Sequence, residues 1–387
     1  MSLRVDWRAS CSLVGTVVKW LAVAMAFPLA VGLFYREGVV TFVATMALAV
    51  TIGWSLEQLD DDPDMGAREG FLMVALTWLA VSIVGALPYV IAGHGTVGHP
   101  VNALFESMSG FTTTGATVMG NIGFEDHSRA LMMWRQQTQW LGGMGIVVLA
   151  VAILPELSVG GAQLMDAEAP GPGIQKLTPR IAETARALWK AYLGITALEV
   201  VLLVCFHYAG IAPNMTVYQA VAHGFTTMAT GGFSPAARSI EYFSAAVQWL
   251  IIPFMVAAGT NFALFWHAMN GEFEVFGEDS EFRFFIGILG GFTAIVTGLL
   301  FVGAFLTTPS IGPVSGNLEA SARHAAFQVV SLVTTTGYAS MDFTTWGRAP
   351  QYVLFVALFI GGSAGSTGGS IKVVRWLVIL KSLKREL

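Results

Sequence analysis

Charged residues are scarce in this chain of 387 residues, where Asp, Glu, Lys and Arg together make up 12%. A soluble domain carries about 25%, so the composition excludes an ordinary globular protein. It also excludes a disordered one, because disorder requires high charge and few hydrophobic residues. The 43 glycines show no G-X-Y period, which excludes a collagen helix.

Cysteine is nearly absent as well, since Cys11 and Cys205 are the two in the chain and lie in separate apolar stretches. Without a CxxC pair or a Cys/His cluster they predict neither a disulfide framework nor a zinc site. The net charge is −5 and no basic tract is present, so we expect no nucleic-acid partner. No Ser/His/Asp set or carboxylate pair indicates catalysis, and we expect neither an enzyme nor an organic cofactor.

What the chain has instead is long apolar runs. Hydrophobic residues make up 55% of the sequence and the mean hydropathy is +0.65. Because about 20 apolar residues suffice for a helix to cross a bilayer, we predict an all-α polytopic membrane protein. The eight runs that could span lie at roughly 12–34, 38–56, 70–93, 130–155, 186–209, 243–268, 284–306 and 350–362, the last continuing after a Gly/Ser break to about 383.

Three intervals between these runs hold a segment too short to cross the bilayer, and the three segments resemble one another. Each is a short helix-compatible stretch followed by a Thr-Gly pair, and we call them the first, second and third Thr-Gly loops: 103–119, 220–236 and 325–341. Alignment on the Thr-Gly pairs makes Gly115, Gly231 and Gly337 equivalent. The long period predicts a tandem duplication of a membrane module rather than a stacked solenoid.

Such segments predict re-entrant loops that line a cation pathway. Non-helical backbone at membrane depth survives only where it is buried in protein or lines water. Glycine permits backbone angles that turn successive carbonyls toward one axis, and rings of carbonyls can replace a cation's hydration shell. The preceding short helix points its partly negative C-terminal end at the same place, which favours cations.

The distribution of Lys and Arg predicts the orientation. With the Thr-Gly loops placed outside, most of the 20 basic residues fall on the inner side, as the positive-inside rule requires. The N-terminus is therefore predicted to be cytoplasmic.

Three further segments extend the pattern: WRQQTQWLGGMGIVVLAVAILP at 134–155, APGPGIQKLTPRIAETARALW at 169–189 and GGSAGSTGGSIKVVR at 361–375. With them and the three loops, the chain resembles the Trk/Ktr/HKT superfamily of potassium transporters, most closely its TrkH-type membrane subunit. The resemblance implies tandem repeats of outer helix, pore loop and inner helix, three of an expected four, after two extra helices. The implied segments are 1–57 for those two helices, then 68–156, 157–270 and 280–387 for the repeats.

The resemblance also implies which residues act in transport. One selectivity glycine per repeat is carried over, with filter carbonyls from the two residues before it. The resemblance implies that the Gly/Ser segment, residues 361–370, is an intramembrane gate, and the poor fit of such a run to a straight helix supports this. A close-packed helix interface of small residues is the alternative. The implied K⁺ filter is Thr113, Thr114, Gly115, Ala229, Thr230, Gly231, Thr335, Thr336 and Gly337, and the implied gate is Gly361, Gly362, Ser363, Gly365, Ser366, Thr367, Gly368 and Gly369.

The implied activity is potassium uptake across the plasma membrane, with K⁺ as the transported ion. The implied partners are the lipid bilayer, a second copy in a homodimer and a cytosolic nucleotide-binding regulatory subunit of the TrkA/KtrA type.

Two alternatives to this function stay open. Thr-Gly loops do not rank potassium over sodium, so a sodium or mixed-cation pathway is possible. A fourth loop would also be due beyond Leu387, so we expect a truncated product, with a non-conducting fragment as the alternative to a transporter.

Overall fold

The computed structural model of the chain describes residues 5–60, 67–145, 181–303 and 313–386, and these contain helices and no strands. The all-α prediction is confirmed. The helices are α1 Trp7–Ala24, α2 Ala26–Tyr35, α3 Val39–Glu57, α4 Ala67–Ala92, α5 Pro100–Phe111, α6 Arg129–Gly143, α7 Ile181–Tyr208, α8 Val217–Met228, α9 Ala245–Ala258, α10 Phe262–Met269, α11 Val275–Glu278, α12 Ser280–Val302, α13 Leu318–Val333, α14 Arg348–Ala357 and α15 Val373–Glu386.

Five helical stretches in this described part are long and apolar enough to cross a membrane. They correspond to five of the runs identified in the sequence. The second half of the run at 130–155 lies outside the described residues, as does most of the quoted segment 169–189. The five stretches are Trp7–Tyr35, Val39–Glu57, Arg68–Ala92, Arg186–Tyr208 and Ser280–Val302.

The run at 243–268 is divided into two helices rather than forming one straight helix. It consists of α9 and α10, bent by 98° at the break between them. The first helix ends at Gly259, and the Asn261 side chain caps the next by accepting from the Ala263 amide at 3.0 Å. Hydropathy does not detect this break, because the residues on both sides are apolar.

Local sequence sets where the three short helices α5, α8 and α13 begin. Pro100 opens α5, a position where its missing N–H costs nothing. Thr216 caps α8 by accepting from the Gln219 amide, and Asn317 caps α13 by accepting from the Ala320 amide at 3.1 Å. Each of these helices has 12 to 16 residues, too few to cross a bilayer at 1.5 Å per residue.

The described residues fall into two compact units. The first holds residues up to 145 together with 181–186, and thus the first Thr-Gly loop. The second begins at Ala187 and holds the second and third loops with the Gly/Ser segment. The four-part division made from the sequence stays a prediction.

Each unit has its own packing. In the first, α1 and α3 approach closely enough that a methyl group on Gly15 would lie 2.5 Å from the Gly53 carbonyl oxygen. The buried Trp134 of α6 donates its indole N–H to the Gly85 carbonyl of α4 at 3.0 Å. In the second unit, α9, α12 and α13 share a hydrophobic core that includes Ile251, Phe285 and Val329. Both cores support the short helices that carry the loops.

Candidate functional site

Each short helix ends in the same backbone turn. After α5 the Thr113 amide donates to the Gly110 carbonyl and the Thr114 amide to the Ser109 carbonyl, both at 3.0 Å. The corresponding pairs after α8 and α13 are Thr230 to Thr227, Gly231 to Thr226, Thr335 to Leu332 and Thr336 to Ser331. The amides of each turn are thus bonded back to their own helix.

The turns also share two left-handed residues. The first is a threonine in every loop, Thr113, Thr230 and Thr335, with φ between 50° and 58°. A β-branched residue rarely adopts this conformation, and such strain costs about 1–3 kcal/mol. The second is a glycine two residues later, with φ between 72° and 80°: Gly115, Gly232 and Gly337.

The sequence alignment of the second loop is therefore off by one residue. Gly232, not Gly231, has the backbone conformation and position of Gly115 and Gly337. Gly231 corresponds to Thr114 and Thr336, since all three amides bond to the same helix position. Either Gly231 or Gly232 can be aligned with Gly115 and Gly337. Alignment on the Thr-Gly pair chose Gly231, whereas the backbone angles match Gly232.

The second and third loops lie against each other. A methyl group on Gly232 would be 2.0 Å from the Thr336 carbonyl oxygen, so no larger residue fits there without displacing the loop. The two turns therefore present their backbone at the same place in the second unit.

The Gly/Ser segment packs against the ends of the helices that carry these loops. The Thr367 hydroxyl reaches the Met228 carbonyl at the end of α8 and the Ala258 carbonyl at the end of α9, both at 3.1 Å. The Gly369 amide donates to the Thr335 hydroxyl at 2.7 Å. One short segment thus contacts the end of α8, the end of α9 and the third loop.

The same segment fills the break between α9 and α10. The Ser363 amide donates to the Gly259 carbonyl at 2.8 Å, and the Phe262 amide donates to the Gly365 carbonyl at 3.1 Å. Close packing also depends on glycine, because a methyl group on Gly361 would lie 2.0 Å from the Gly369 carbonyl oxygen. The bend in α9–α10 and the Gly/Ser segment are therefore parts of one arrangement.

Comparison with known proteins identifies the family. A family model described as "TrkH: Cation transport protein" matches residues 38–387. The chain belongs to the TrkH family. The resemblance seen in the sequence is thus confirmed.

Individual relatives agree with this assignment. The Trk system potassium uptake protein TrkH of Halomonas elongata is 40% identical over 394 residues, covering 100% of this chain and 76% of the relative. The protein of the same name from Escherichia coli (strain K12) is 38% identical, covering 98% and 76%. Among solved structures, the crystal structure of the potassium transporter TrkH from Vibrio parahaemolyticus matches with a TM-score of 0.79 and 34% identity, covering 99% of this chain and 76% of that one. These relatives are named as transport proteins, not enzymes.

A buried ion pair, not predicted from the sequence, lies behind the first Thr-Gly loop. Arg135 of α6 donates from Nε to a Glu106 carboxylate oxygen of α5 at 2.7 Å, and both side chains are at most 1% exposed. The Thr117 hydroxyl donates to the same carboxylate at 2.8 Å and the Val118 amide at 3.0 Å. Glu106 thereby ties the chain that leaves the first loop to the helix that enters it.

The second loop has a comparable tie. The His223 imidazole of α8 accepts from the Ser234 hydroxyl at 3.0 Å while its other nitrogen donates to the Gln219 carbonyl. Glu106 with Thr117 and His223 with Ser234 are both 11 residues apart. This shared spacing supports Gly232 as the equivalent of Gly115.

We predict that Glu106→Gln destabilises the protein by about 3–5 kcal/mol, because it leaves the Arg135 charge buried and unpaired. Thermal unfolding of purified protein measures this. Adding Arg135→Gln removes the second charge and should recover part of the loss. Glu241→Gln, in an ion pair whose Arg238 is 72% exposed, is the matched control and should cost at most about 1 kcal/mol. A Glu106→Gln variant as stable as the control would contradict the role of the buried pair.

Proposed function

We propose that this chain is a potassium uptake protein of the plasma membrane, with K⁺ as the transported ion. The observation that carries the proposal is the common turn with its left-handed threonine and glycine at the end of all three short helices. Relatives at 38–40% identity are named potassium uptake proteins. A strained conformation that recurs at three equivalent points is expected at a functional site rather than in a connecting loop.

The turn suits a dehydrated cation. Its amides are bonded to the helix, so they do not repel a positive ion, and the helix C-terminus contributes partial negative charge. Carbonyl oxygens are the groups that replace the hydration shell of K⁺ in a selectivity filter. The proposed ligands are the carbonyls of Thr113 and Thr114, of Thr335 and Thr336, and, after correction of the alignment, of Thr230 and Gly231.

The proposal favours potassium over the sodium or mixed-cation alternative. K⁺ is the larger ion and needs a wider cage of oxygens than Na⁺. The glycine in each loop and the close contact of Gly232 with Thr336 restrict how the loops pack. The relatives are named potassium uptake proteins or a potassium transporter, which also favours potassium.

We further propose that the Gly/Ser segment gates the pathway. It is the non-helical segment bonded both to the end of α8, through Thr367, and to the side chain of Thr335 in the third loop. Few apolar side chains fix it, and glycines such as Gly365 at φ 72° allow its backbone to rearrange. Displacing it would break its hydrogen bonds to α8, to α9 and to the third loop while leaving α8 and α13 in place.

The names of the relatives support a proposal for the wider assembly. The relatives carry the name of a Trk system, and we propose a homodimer with a cytosolic nucleotide-binding regulatory subunit of the TrkA/KtrA type. The proposed orientation places the N-terminus in the cytoplasm, because the excess of Lys and Arg then lies inside. The four segments 1–57, 68–156, 157–270 and 280–387 are the proposed structural repeats with their two preceding helices.

The sharpest test of the filter separates the two adjacent glycines. Gly232→Ser should abolish K⁺ uptake, since its side chain would meet the Thr336 carbonyl and strain the left-handed backbone. Gly231→Thr should retain uptake, because threonine occupies the equivalent position in both other loops. Growth of a potassium-uptake-deficient host at low potassium measures the difference. Equal loss in the two variants would contradict the corrected alignment, and no growth with the parent chain would contradict transport itself.

The gate has its own test. Thr367→Val removes the hydroxyl that reaches the Met228 and Ala258 carbonyls, so we expect a several-fold higher K⁺ flux into proteoliposomes without the regulatory subunit. Thr51→Val is the matched control, because the Thr51 hydroxyl is exposed and bonds only to the Ala47 carbonyl of its own helix among the contacts described. An unchanged or lower flux for Thr367→Val would argue against the segment as the gate.

A further inference from the structure

Tyr338 links two repeats through its side chain. It follows Gly337 in the third Thr-Gly loop, it is 2% exposed, and its phenol reaches α8 of the preceding repeat. The phenol oxygen lies within hydrogen-bonding distance of the Thr226 hydroxyl, and it is 3.3 Å from both the Thr227 hydroxyl and the His223 carbonyl. A residue of the third loop is thus bonded to the helix that carries the second loop.

The available protons limit the directions of these hydrogen bonds. The Thr226 hydroxyl proton can go to the Ala222 carbonyl of its own helix, which lies 3.1 Å away, or to the phenol oxygen of Tyr338. The phenol proton can go to the Thr226 oxygen or to the His223 carbonyl at 3.3 Å. The Thr227 hydroxyl can donate to the phenol oxygen. Removing the phenol oxygen would remove these interactions.

The position of Thr226 is used differently in the other repeats. Ser109 donates to the Ala116 carbonyl at 2.6 Å, and Ser331 donates to the Tyr338 carbonyl at 2.7 Å. Both serines tie a loop to its own helix across seven residues. Thr226, at the equivalent position, instead meets a phenol from the third loop, so this hydroxyl joins two repeats.

The aromatic ring of Tyr338 also contacts α8, through His223. Its centroid lies 5.9 Å from that of the His223 imidazole, and His223 accepts from Ser234, just after Gly232. Tyr338 is thus next to the histidine that ties the end of the second loop to α8. Together with the contact of Gly232 and Thr336, it fixes the second and third loops relative to each other at two points.

We propose that Tyr338 is a positioning residue that determines ion specificity, by holding the second and third loops at the spacing that suits K⁺. This rests on the proposed function, since it assumes that the two turns present carbonyls to the ion. A cage that can contract accepts Na⁺ more readily, because the smaller ion needs shorter distances to its ligands. The phenol hydrogen bonds oppose that contraction without touching the ion.

The experiment compares K⁺ and Na⁺ binding to the purified full chain, Tyr338→Phe and Tyr352→Phe. Tyr352 is 67% exposed and provides the matched control for loss of a phenol. Thermal unfolding at increasing KCl or NaCl gives an apparent affinity for each ion. We expect Tyr338→Phe to lower the preference for K⁺ over Na⁺ by roughly three- to tenfold, the effect of one to two hydrogen bonds, mainly through tighter Na⁺ binding. Tyr352→Phe should keep the parent's preference.

A double-mutant cycle tests whether Thr226 is the partner. If the two side chains act through their mutual hydrogen bond, Thr226→Val should lower the preference similarly, and the double variant should lose no more than either single variant. A folded Tyr338→Phe with the parent's preference would overturn the proposal. So would a loss that is fully additive with Thr226→Val. If the parent binds neither ion, the proposed function fails instead, so the two failures are distinguishable.

Discussion

Backbone polar groups at membrane depth need partners, and this constraint determines the structure around the three loops. At the end of each short helix, the amides of the turn donate to carbonyls of that same helix. The turn therefore keeps its own carbonyls available for another ligand. The Gly/Ser segment also satisfies backbone polar groups, since its amides and hydroxyls donate to carbonyls at the ends of α8 and α9. The break between α9 and α10 leaves the Ala258 and Gly259 carbonyls available to the segment.

A turn with threonine at positive φ requires support from its surroundings. The first and third loops share part of this support, since a serine bonds each loop to its own helix and two threonine hydroxyls pair in each turn. The rest of the support differs between repeats, although the backbone is the same. The first loop relies on a buried carboxylate, Glu106, which holds Arg135 and the chain after the turn. The second relies on His223 and on a phenol from the third loop. The third relies on Ser331 and on hydroxyl pairing of Thr334 with Thr336 at 2.7 Å. Side chains outside the turn thus define its geometry.

Much of this could be predicted from the sequence, because apolar runs and a recurring Thr-Gly pattern report directly on span and loop positions. The all-α membrane fold and the family were predicted correctly. The position of Gly232 was not, since two adjacent glycines satisfy the same pattern and only the backbone angles separate them. The burial of Arg135 against Glu106 was not predicted, because counting charged residues cannot reveal which of them are buried. The break at Gly259 was missed because small polar residues barely change the hydropathy of a long apolar run.

We propose that the backbone turns after the short helices hold the transported cation. Crystals or vitrified particles of the protein prepared in Rb⁺ or Tl⁺ in place of K⁺ test this directly, because these heavier ions give a strong and specific signal. We expect ion density next to the carbonyls of Thr335 and Thr336 and of Thr230 and Gly231, and its loss in the Gly232→Ser variant. Density confined to other parts of the molecule, with these carbonyls unoccupied at saturating ion, would contradict it.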